Sequence, residues 1–197
     1  MTVVEELQKL GQGDYETQAK RVVSLIFEKP NNWEDGARKA VFQIIEHSFK
    51  TYNRLQDLRD YIDYLIDEMG PTSTKTLSAE VCAEYWNLFG SSAHATAVKN
   101  NIFARYSKNP VDMIMHISDI LIRKQHDYGH ENIARFGRTG LLVRVHDKIA
   151  RLENLAAKQV PPGNESVEDN YIDVIGYAAI GVMWERGWFM LDMEKIE

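Results

Sequence analysis

The sequence has a single cysteine, Cys82, so it cannot form an internal disulfide. Such sparse use of cysteine is typical of a reducing compartment. The residues after Met1 lack the basic stretch and the apolar segment of about 7–15 residues that a secretory signal needs. The longest apolar stretch, from Ile172 to Trp184, is interrupted by Asp173 and is shorter than the ~18 residues that indicate a membrane span. We therefore expect a cytoplasmic protein with no membrane partner, and we interpret this stretch as a core helix.

Positive charge is also scarce, because 23 Lys and Arg residues stand against 29 Asp and Glu residues and leave a net charge of -6. A chain with this balance is a poor general partner for nucleic acid, so we expect no broad binding to duplexes. Small anionic ligands remain compatible with it. The 197 residues, 44% of them hydrophobic, fit one compact domain with a full-sized core.

No segment shows the period-two alternation that predicts a strand, and apolar residues recur at helical spacing nearly throughout. The predicted fold class is therefore all-α, a helical bundle of about seven to eight helices. A polar linker at 71–76 separates an N-terminal helical region, residues 1–75, from a second helical region, residues 76–197. Helices are predicted over residues 2–10, 15–28, 34–69, 77–89, 95–106, 110–126 and 141–158, with a last one after residue 163.

Asp173 is the only charged residue in its apolar stretch, and a carboxylate in such surroundings needs a partner. A metal ion, an Arg or Lys, or several hydrogen bonds could each supply it. Asp169 and Glu165 precede Asp173 by one and two helical turns, so the three acids share a helix face and repel one another unless a cation lies between them. This pattern predicts a metal site. Asp169 has a competing structural role, because Ser166-x-x-Asp169 also has the form of a capping box.

The helix predicted after Gly140 has a polar face made of Arg144, Asp147, Lys148 and Arg151. One interpretation is a solvated face in which Asp147 and Arg151 form a surface ion pair. The other is a phosphate site, because these cations follow a turn at 137–140 whose helix N-terminus would offer free N–H groups to an anion. An acidic face for Mg²⁺ and a basic turn for phosphate are together what a nucleotide site requires.

A further polar cluster, Lys124, Asp127, Tyr128 and Asn132, surrounds the predicted end of a helix near Gly129. Helix termination explains Asp127 and Gly129, since short polar residues and glycine favour turns. It explains Lys124 and Asn132 less well, which favours a binding role. A zinc site at the nearby pair His126 and His130 is disfavoured, because no third ligand follows at a suitable spacing.

In combination these motifs resemble a phage and bacterial family called nucleotide modification associated domain, type 1, over about the last third of the chain. The resemblance rests on Lys124-x-x-Asp127-Tyr128-Gly129-x-x-Asn132, Gly140-Leu141, Arg144-x-x-Asp147-Lys148-x-x-Arg151-Leu152 and Glu165-Ser166-x-x-Asp169-x-x-x-Asp173-x-x-x-Tyr177-Ala178. That family looks like a relative of the all-α nucleoside triphosphate pyrophosphohydrolases typified by MazG and dimeric dUTPase, whose acidic helices bind Mg²⁺. Those enzymes pair an E-x-x-E helix with an E-x-x-D helix, whereas the first helix here offers only Asp147, so one metal fits better than several.

The resemblance implies a Mg²⁺-dependent (deoxy)nucleotide-binding protein, acting as a nucleoside triphosphate pyrophosphohydrolase in phage or bacterial nucleotide or DNA-modification metabolism. It also implies a homo-oligomer, and the host cytoplasm as location if the gene belongs to a phage. The residues at 76–197 would form the nucleotide-binding and catalytic region. Its catalytic residues would be Asp147, Glu165, Asp169 and Asp173, of which Glu165, Asp169 and Asp173 hold the metal. Substrate would contact the phosphate-neutralising Arg144, Lys148 and Arg151, and the base- or sugar-reading Lys124, Asp127, Tyr128 and Asn132.

Three alternatives remain at this point. His146-Asp147, with His116 upstream, has the form of an HD-type metal phosphohydrolase dyad, although it lies on an Arg- and Lys-rich helix face. Transition-metal content would distinguish that class, because histidine ligands prefer Zn, Mn or Fe and carboxylates prefer Mg²⁺. The protein could instead be a non-catalytic nucleotide-binding or scaffold module. Finally, a buried Asp173–Arg151 salt bridge in a purely structural helical protein would account for much of the charge pattern.

Overall fold

Seven α-helices and no β-strand make up the described part of the computed structural model, which covers residues 1–10, 12–48, 61, 64, 110–159 and 161–195. The predicted all-α class is confirmed for these residues. None of the described helices is long and apolar enough to cross a membrane. The helices are α1 (Val3–Lys9), α2 (Tyr15–Phe27), α3 (Trp33–Ser48), α4 (Pro110–Tyr128), α5 (Glu131–Ala134), α6 (Gly137–Lys158) and α7 (Val167–Glu185).

Helix α7 is the central element of the fold. It contains the longest apolar stretch of the sequence, and it is buried on nearly every side because it packs against α3, α4 and α6. A helix that is apolar all round belongs in a core, so the prediction of a core helix is confirmed. Gly176 faces α4, where a Cβ at this position would lie in ordinary van der Waals contact with Leu121 Cδ1, at 3.5 Å. A charged side chain within the apolar stretch of α7, such as Asp173, therefore has to find its partners on the neighbouring helices.

Helices α3 and α4 complete the core beside α7. They pack against each other and against α7, and their inward faces carry fully or almost fully buried side chains such as Ile45, Met113 and Ile117. The N-terminal region thus contributes α3 to the same core as the C-terminal helices. The prediction of one helix over 34–69 is met as far as Ser48. The predicted linker at 71–76 and the predicted helices at 77–89 and 95–106 lie outside the described residues.

The segment at 130–140 was predicted to be a loop, and this prediction is wrong. It forms the short helix α5 and the first turn of α6, which begins at Gly137 rather than after Gly140. Gly137 has φ +51, and a Cβ at this position would lie 3.0 Å from Trp184 Cζ2. Glycine therefore allows a close connection between α5 and α6 where the chain passes Trp184 of α7. This is a tertiary role, whereas the composition of the segment predicts a loop.

The chain after α7 folds back onto the start of α3 and the end of α4. Trp33 N donates to Asp192 O at 2.9 Å. The buried Glu34 carboxylate accepts from Glu194 N at 3.1 Å and lies 3.2 Å from His126 Nε2. His130 Nε2 lies 3.0 Å from Leu191 O. These contacts fix the last turn of α4, which carries part of the candidate site.

Candidate functional site

A cleft of about 290 Å³ lies between α4, α6 and α7. Most of the polar residues that line it belong to the motifs identified in the sequence. They come from positions as far apart in the sequence as Lys124 and Tyr177. The rest of the lining is mainly apolar. The polar and aromatic lining residues are Lys124, Gln125, Tyr128, Asn132, Arg144, Lys148, Glu165, Asp173 and Tyr177, and the apolar ones include Ile117, Ile120, Leu121, Ile133, Ile172 and Ile180.

Asp173 lies between two lysines at the polar wall of this cleft. Its side chain is only 11% exposed; Oδ2 lies 2.7 Å from Lys148 Nζ on α6, and Oδ1 accepts from Lys124 Nζ on α4. The prediction that this carboxylate needs a partner is met by two ammonium groups. The alternative of a buried pair with Arg151 is wrong, because the Arg151 guanidinium binds Glu165 instead.

Lys148 and Arg151 both bind the carboxylate of Glu165. Lys148 Nζ and Arg151 Nη1 lie 2.9 and 3.1 Å from the same oxygen, Oε2, and Arg151 Nη2 donates to the Glu165 backbone oxygen at 2.9 Å. The Glu165 side chain remains 54% exposed. Partial burial acts to lower the pKa of Lys148, but its hydrogen bonds and charge interactions with Asp173 and Glu165 outweigh this and raise the pKa above its ordinary value. Lys148 therefore stays charged between two carboxylates.

Asp169 caps the N-terminus of α7. The Ser166 backbone N and Oγ donate to Asp169 Oδ2 at 2.9 and 2.8 Å, and Asp169 N donates to Ser166 Oγ at 3.0 Å. These hydrogen bonds lower the pKa of the Asp169 carboxyl below its ordinary value. The capping-box interpretation is therefore confirmed, and the Asp169 side chain is not part of the cleft lining.

The three acids predicted to hold a metal are not gathered into a metal site. Asp169 turns back to Ser166, Asp173 faces two lysines, and Glu165 is bound by Lys148 and Arg151. Within the described ranges, no group of three or more His, Cys, Asp or Glu side chains could hold a metal ion. As arranged, these carboxylates do not fit a Mg²⁺ ion held by the three of them, because each already binds its own hydrogen-bond donors, which for Glu165 and Asp173 are cations.

The residues of the HD-type alternative also lie apart from the cleft. His146 and Asp147 are exposed on α6, His116 is exposed on α4, and neither they nor the downstream acids form a metal-binding group in the part of the chain that the structure describes. Asp147, predicted as a catalytic acid, does not line the cleft. His126 contacts Glu34 rather than a metal partner.

Arg144 lines the cleft between Asn132 and Tyr177. Its Nη2 donates to Asn132 Oδ1 at 3.0 Å, and its Cζ lies 5.9 Å from the centre of the Tyr177 ring. Tyr128, 65% exposed, lies at the mouth of the cleft with its ring available for contact. Asp127 is exposed and does not line the cleft, although the sequence placed it with the base- or sugar-reading residues.

The helix N-terminus predicted to follow Gly140 lies one turn earlier, at Gly137. Because α6 begins at Gly137, the Gly140 N–H is already bonded to Phe136 O at 3.2 Å. Arg135 and Arg138 are exposed and do not line the cleft, and Arg138 Nε lies 3.5 Å from Glu185 Oε1. The cations that do meet are those that α4 and α6 direct toward α7, so side chains rather than backbone N–H groups form the positive wall.

Gln125 is a polar lining residue that the sequence did not predict. Its side chain is 4% exposed, and its Nε2 has no hydrogen-bond partner in the described structure. Helical spacing held a signal, because Ile117, Leu121, Gln125 and Tyr128 follow one another at intervals of four, four and three along one face of α4. The isoleucines of the lining were missed for a related reason. In the sequence each of them is indistinguishable from an ordinary core residue, and only the assembled helices show that it lines the cleft.

These features define an all-α protein with a small, charged, half-apolar cleft between three helices. Residues 124–184 match the family described as nucleotide modification associated domain 1, which confirms the resemblance carried by the motifs. The matched segment begins at Lys124 and contains every polar residue that lines the cleft. A search of curated proteins and a search of solved structures gave no match.

Proposed function

We propose that the cleft binds a (deoxy)nucleotide, with its phosphate at the cationic wall and its base against the isoleucines. The observation that carries this proposal is the convergence of Lys124, Arg144 and Lys148 on one cleft that is also lined by isoleucines. A small-molecule site is typically concave and mostly apolar, with a few placed polar groups. A nucleotide has the matching division between an anionic end and a flat, weakly polar end.

The contacts of Glu165 support the proposed phosphate position. Two cations, Lys148 and Arg151, meet at one exposed carboxylate oxygen, which is how proteins hold the oxygens of carboxylates and phosphates alike. A ligand phosphate that took the place of the Glu165 carboxylate would find both cations already positioned. Asp173 is far less exposed than Glu165 and would remain with the lysines, keeping their ammonium groups at the wall.

The lining isoleucines and Tyr128 support the proposed position of the base. Ile120, Ile172 and Ile180 offer a surface on which a planar base would be desolvated. Tyr128 at the mouth offers an exposed ring, and base–aromatic stacking contributes about 1–3 kcal/mol per base in nucleic-acid-binding proteins. A cleft of about 290 Å³ suits a single nucleotide better than a polymer.

Hydrolysis of a nucleoside triphosphate to monophosphate and pyrophosphate is the catalytic form of this proposal, and it comes from the family resemblance. The all-α pyrophosphohydrolases bind Mg²⁺ through acidic helices, whereas Glu165, Asp169 and Asp173 are engaged with donors in this protein. No metal step is therefore assigned to these residues. A binding or scaffold module without turnover accounts for the same cleft.

A panel of (deoxy)nucleoside mono-, di- and triphosphates tests the proposal. Binding is measured by calorimetry with Mg²⁺ and with EDTA, and products from the same samples are separated by chromatography. Saturable binding of at least one nucleotide, competed by inorganic phosphate or pyrophosphate, is the expected result. Monophosphate plus pyrophosphate as products would establish the catalytic form, and binding without products would establish the module. If no member of the panel binds under either condition, the proposal is wrong.

A further inference from the structure

Gln125 has a buried side-chain amide, and its donor group, Nε2, has no hydrogen-bond partner in the described structure. Burying a polar group without a partner is unfavourable, so such groups are rare in folded proteins and call for an explanation. In the described structure, unpartnered buried side-chain atoms also occur on Trp33, Arg38, Gln43 and Asn170, and none of these four residues lines the cleft. Gln125 does line it, which links the unused donor to whatever the cleft binds.

The position of Gln125 separates it from the phosphate-binding wall. It follows Lys124 on α4 and lies one helical turn beyond Leu121, whose side chain belongs to the apolar lining. Its side chain is 4% exposed, whereas that of Lys124 is 47% exposed. A neutral amide in this place adds no charge that would attract a phosphate. It can supply directional hydrogen bonds at the apolar side of the cleft.

We propose that Gln125 reads the hydrogen-bonding edge of the nucleobase, an inference that rests on the nucleotide-binding function proposed above. The amide offers a donor, Nε2, beside an acceptor, Oε1, and each nucleobase has an edge with an acceptor next to a donor. A phosphate dianion offers acceptors only, and a sugar offers freely rotating hydroxyls. The ligand class is therefore a nucleotide whose base is recognised, and Gln125 is a specificity-determining residue.

The substitution Gln125→Met isolates this role, because methionine has nearly the same shape as glutamine and lacks both hydrogen-bonding groups. Gln43→Met is the matched control, since Gln43 is equally buried, also has one unpartnered amide atom and does not line the cleft. Wild type and both variants are titrated with the best-binding nucleotide and with 2-deoxyribose 5-phosphate, which has the same phosphate and sugar but no base. Thermal unfolding of each free protein is recorded alongside.

The expected result has three parts. Wild type binds the nucleotide at least tenfold tighter than 2-deoxyribose 5-phosphate. Gln125→Met removes at least tenfold of the nucleotide affinity and leaves that for 2-deoxyribose 5-phosphate unchanged, while Gln43→Met changes neither. The Tm of free Gln125→Met equals or exceeds that of wild type, because the substitution removes an unsatisfied buried donor. A structural role for Gln125 would lower the Tm instead.

Different failures have different meanings. If neither ligand binds wild type, the proposed function fails and this inference fails with it. If both ligands bind wild type equally, the base is not read and the inference is overturned, while phosphate binding stands. An equal loss of affinity for both ligands in Gln125→Met also overturns it. Should Gln125→Met fold poorly, Gln125→Leu is titrated in the same way and judged by the same ratio of the two affinities.

Discussion

Lys148 and Asp173 join α6 to α7 through an ion pair of 2.7 Å in which both side chains are mostly buried. A buried pair contributes little net stability unless its remaining hydrogen-bonding capacity is filled, because both charges lose their hydration. Here Lys124 binds the second oxygen of Asp173, and Glu165 binds Lys148 from the solvent side. Asp173 therefore fixes the position of two ammonium groups, which are among the cations proposed to bind phosphate.

Replacing Lys148 is the most direct test of the phosphate assignment. Lys148→Gln is expected to weaken nucleotide binding by about tenfold or more, because a hydrogen bond to a charged group contributes roughly 1.5–3 kcal/mol. Lys158→Gln is the matched control, since Lys158 is an exposed lysine at the end of the same helix. Calorimetric titration of both variants gives the comparison. Equal affinities for the two variants would contradict the assignment.

Glu165→Gln is expected to have the opposite effect. If a ligand phosphate replaces the Glu165 carboxylate at Lys148 and Arg151, removing its charge weakens a competitor, and the affinity for inorganic phosphate and nucleotide should rise several-fold. The measurement is a titration at low and at moderate salt. A fall in affinity would show that Glu165 contacts the ligand directly or through a bound metal.

Asp173→Asn distinguishes a charge-positioning role from a metal-ligand role. The substitution leaves Lys124 and Lys148 without their shared carboxylate, so the free energy of unfolding should fall by about 1–3 kcal/mol, measured by urea titration. Glu153→Gln, an exposed acid on α6, should change it little. A metal-ligand role predicts that Asp173→Asn abolishes Mg²⁺-dependent binding or turnover. Unchanged Mg²⁺ dependence would rule that role out.

The capping box of α7 predicts a specific pH dependence. Ser166→Ala should lower the free energy of unfolding by about 0.5–2 kcal/mol, the usual effect of losing an N-cap. The pKa of Asp169 is lower in the folded protein, so its contribution to stability is present at neutral pH and is lost as the pH falls below about 4. The stability difference between wild type and Asp169→Asn should therefore shrink in acid. A difference that stays constant down to pH 2.5 would contradict this.

The sequence determined the fold class and several local features of the candidate site. Some features of a fold depend only on contacts within about one helical turn and can therefore be predicted locally. Here they are the helical periodicity, the proline at the start of α4 and the Ser166–Asp169 capping box. The isolated charge of Asp173 in an apolar stretch likewise predicted a partnered carboxylate. The resemblance to the nucleotide modification associated domain followed from residue types at fixed spacing, and the match over 124–184 confirmed it.

Only the tertiary structure decided which partner each charged residue has. Helical spacing predicted one face for Glu165, Asp169 and Asp173, but Glu165 precedes the N-cap of α7 and is not on the helix. Asp169 turns to its cap, and the other two acids bind cations from α4 and α6. Spacing within one helix does not reveal which side chains arrive from another helix. For the same reason the sequence did not predict a role for Gln125. Its Nε2 group, which has no partner in the described structure, is seen to belong to a cleft only once the three helices are assembled.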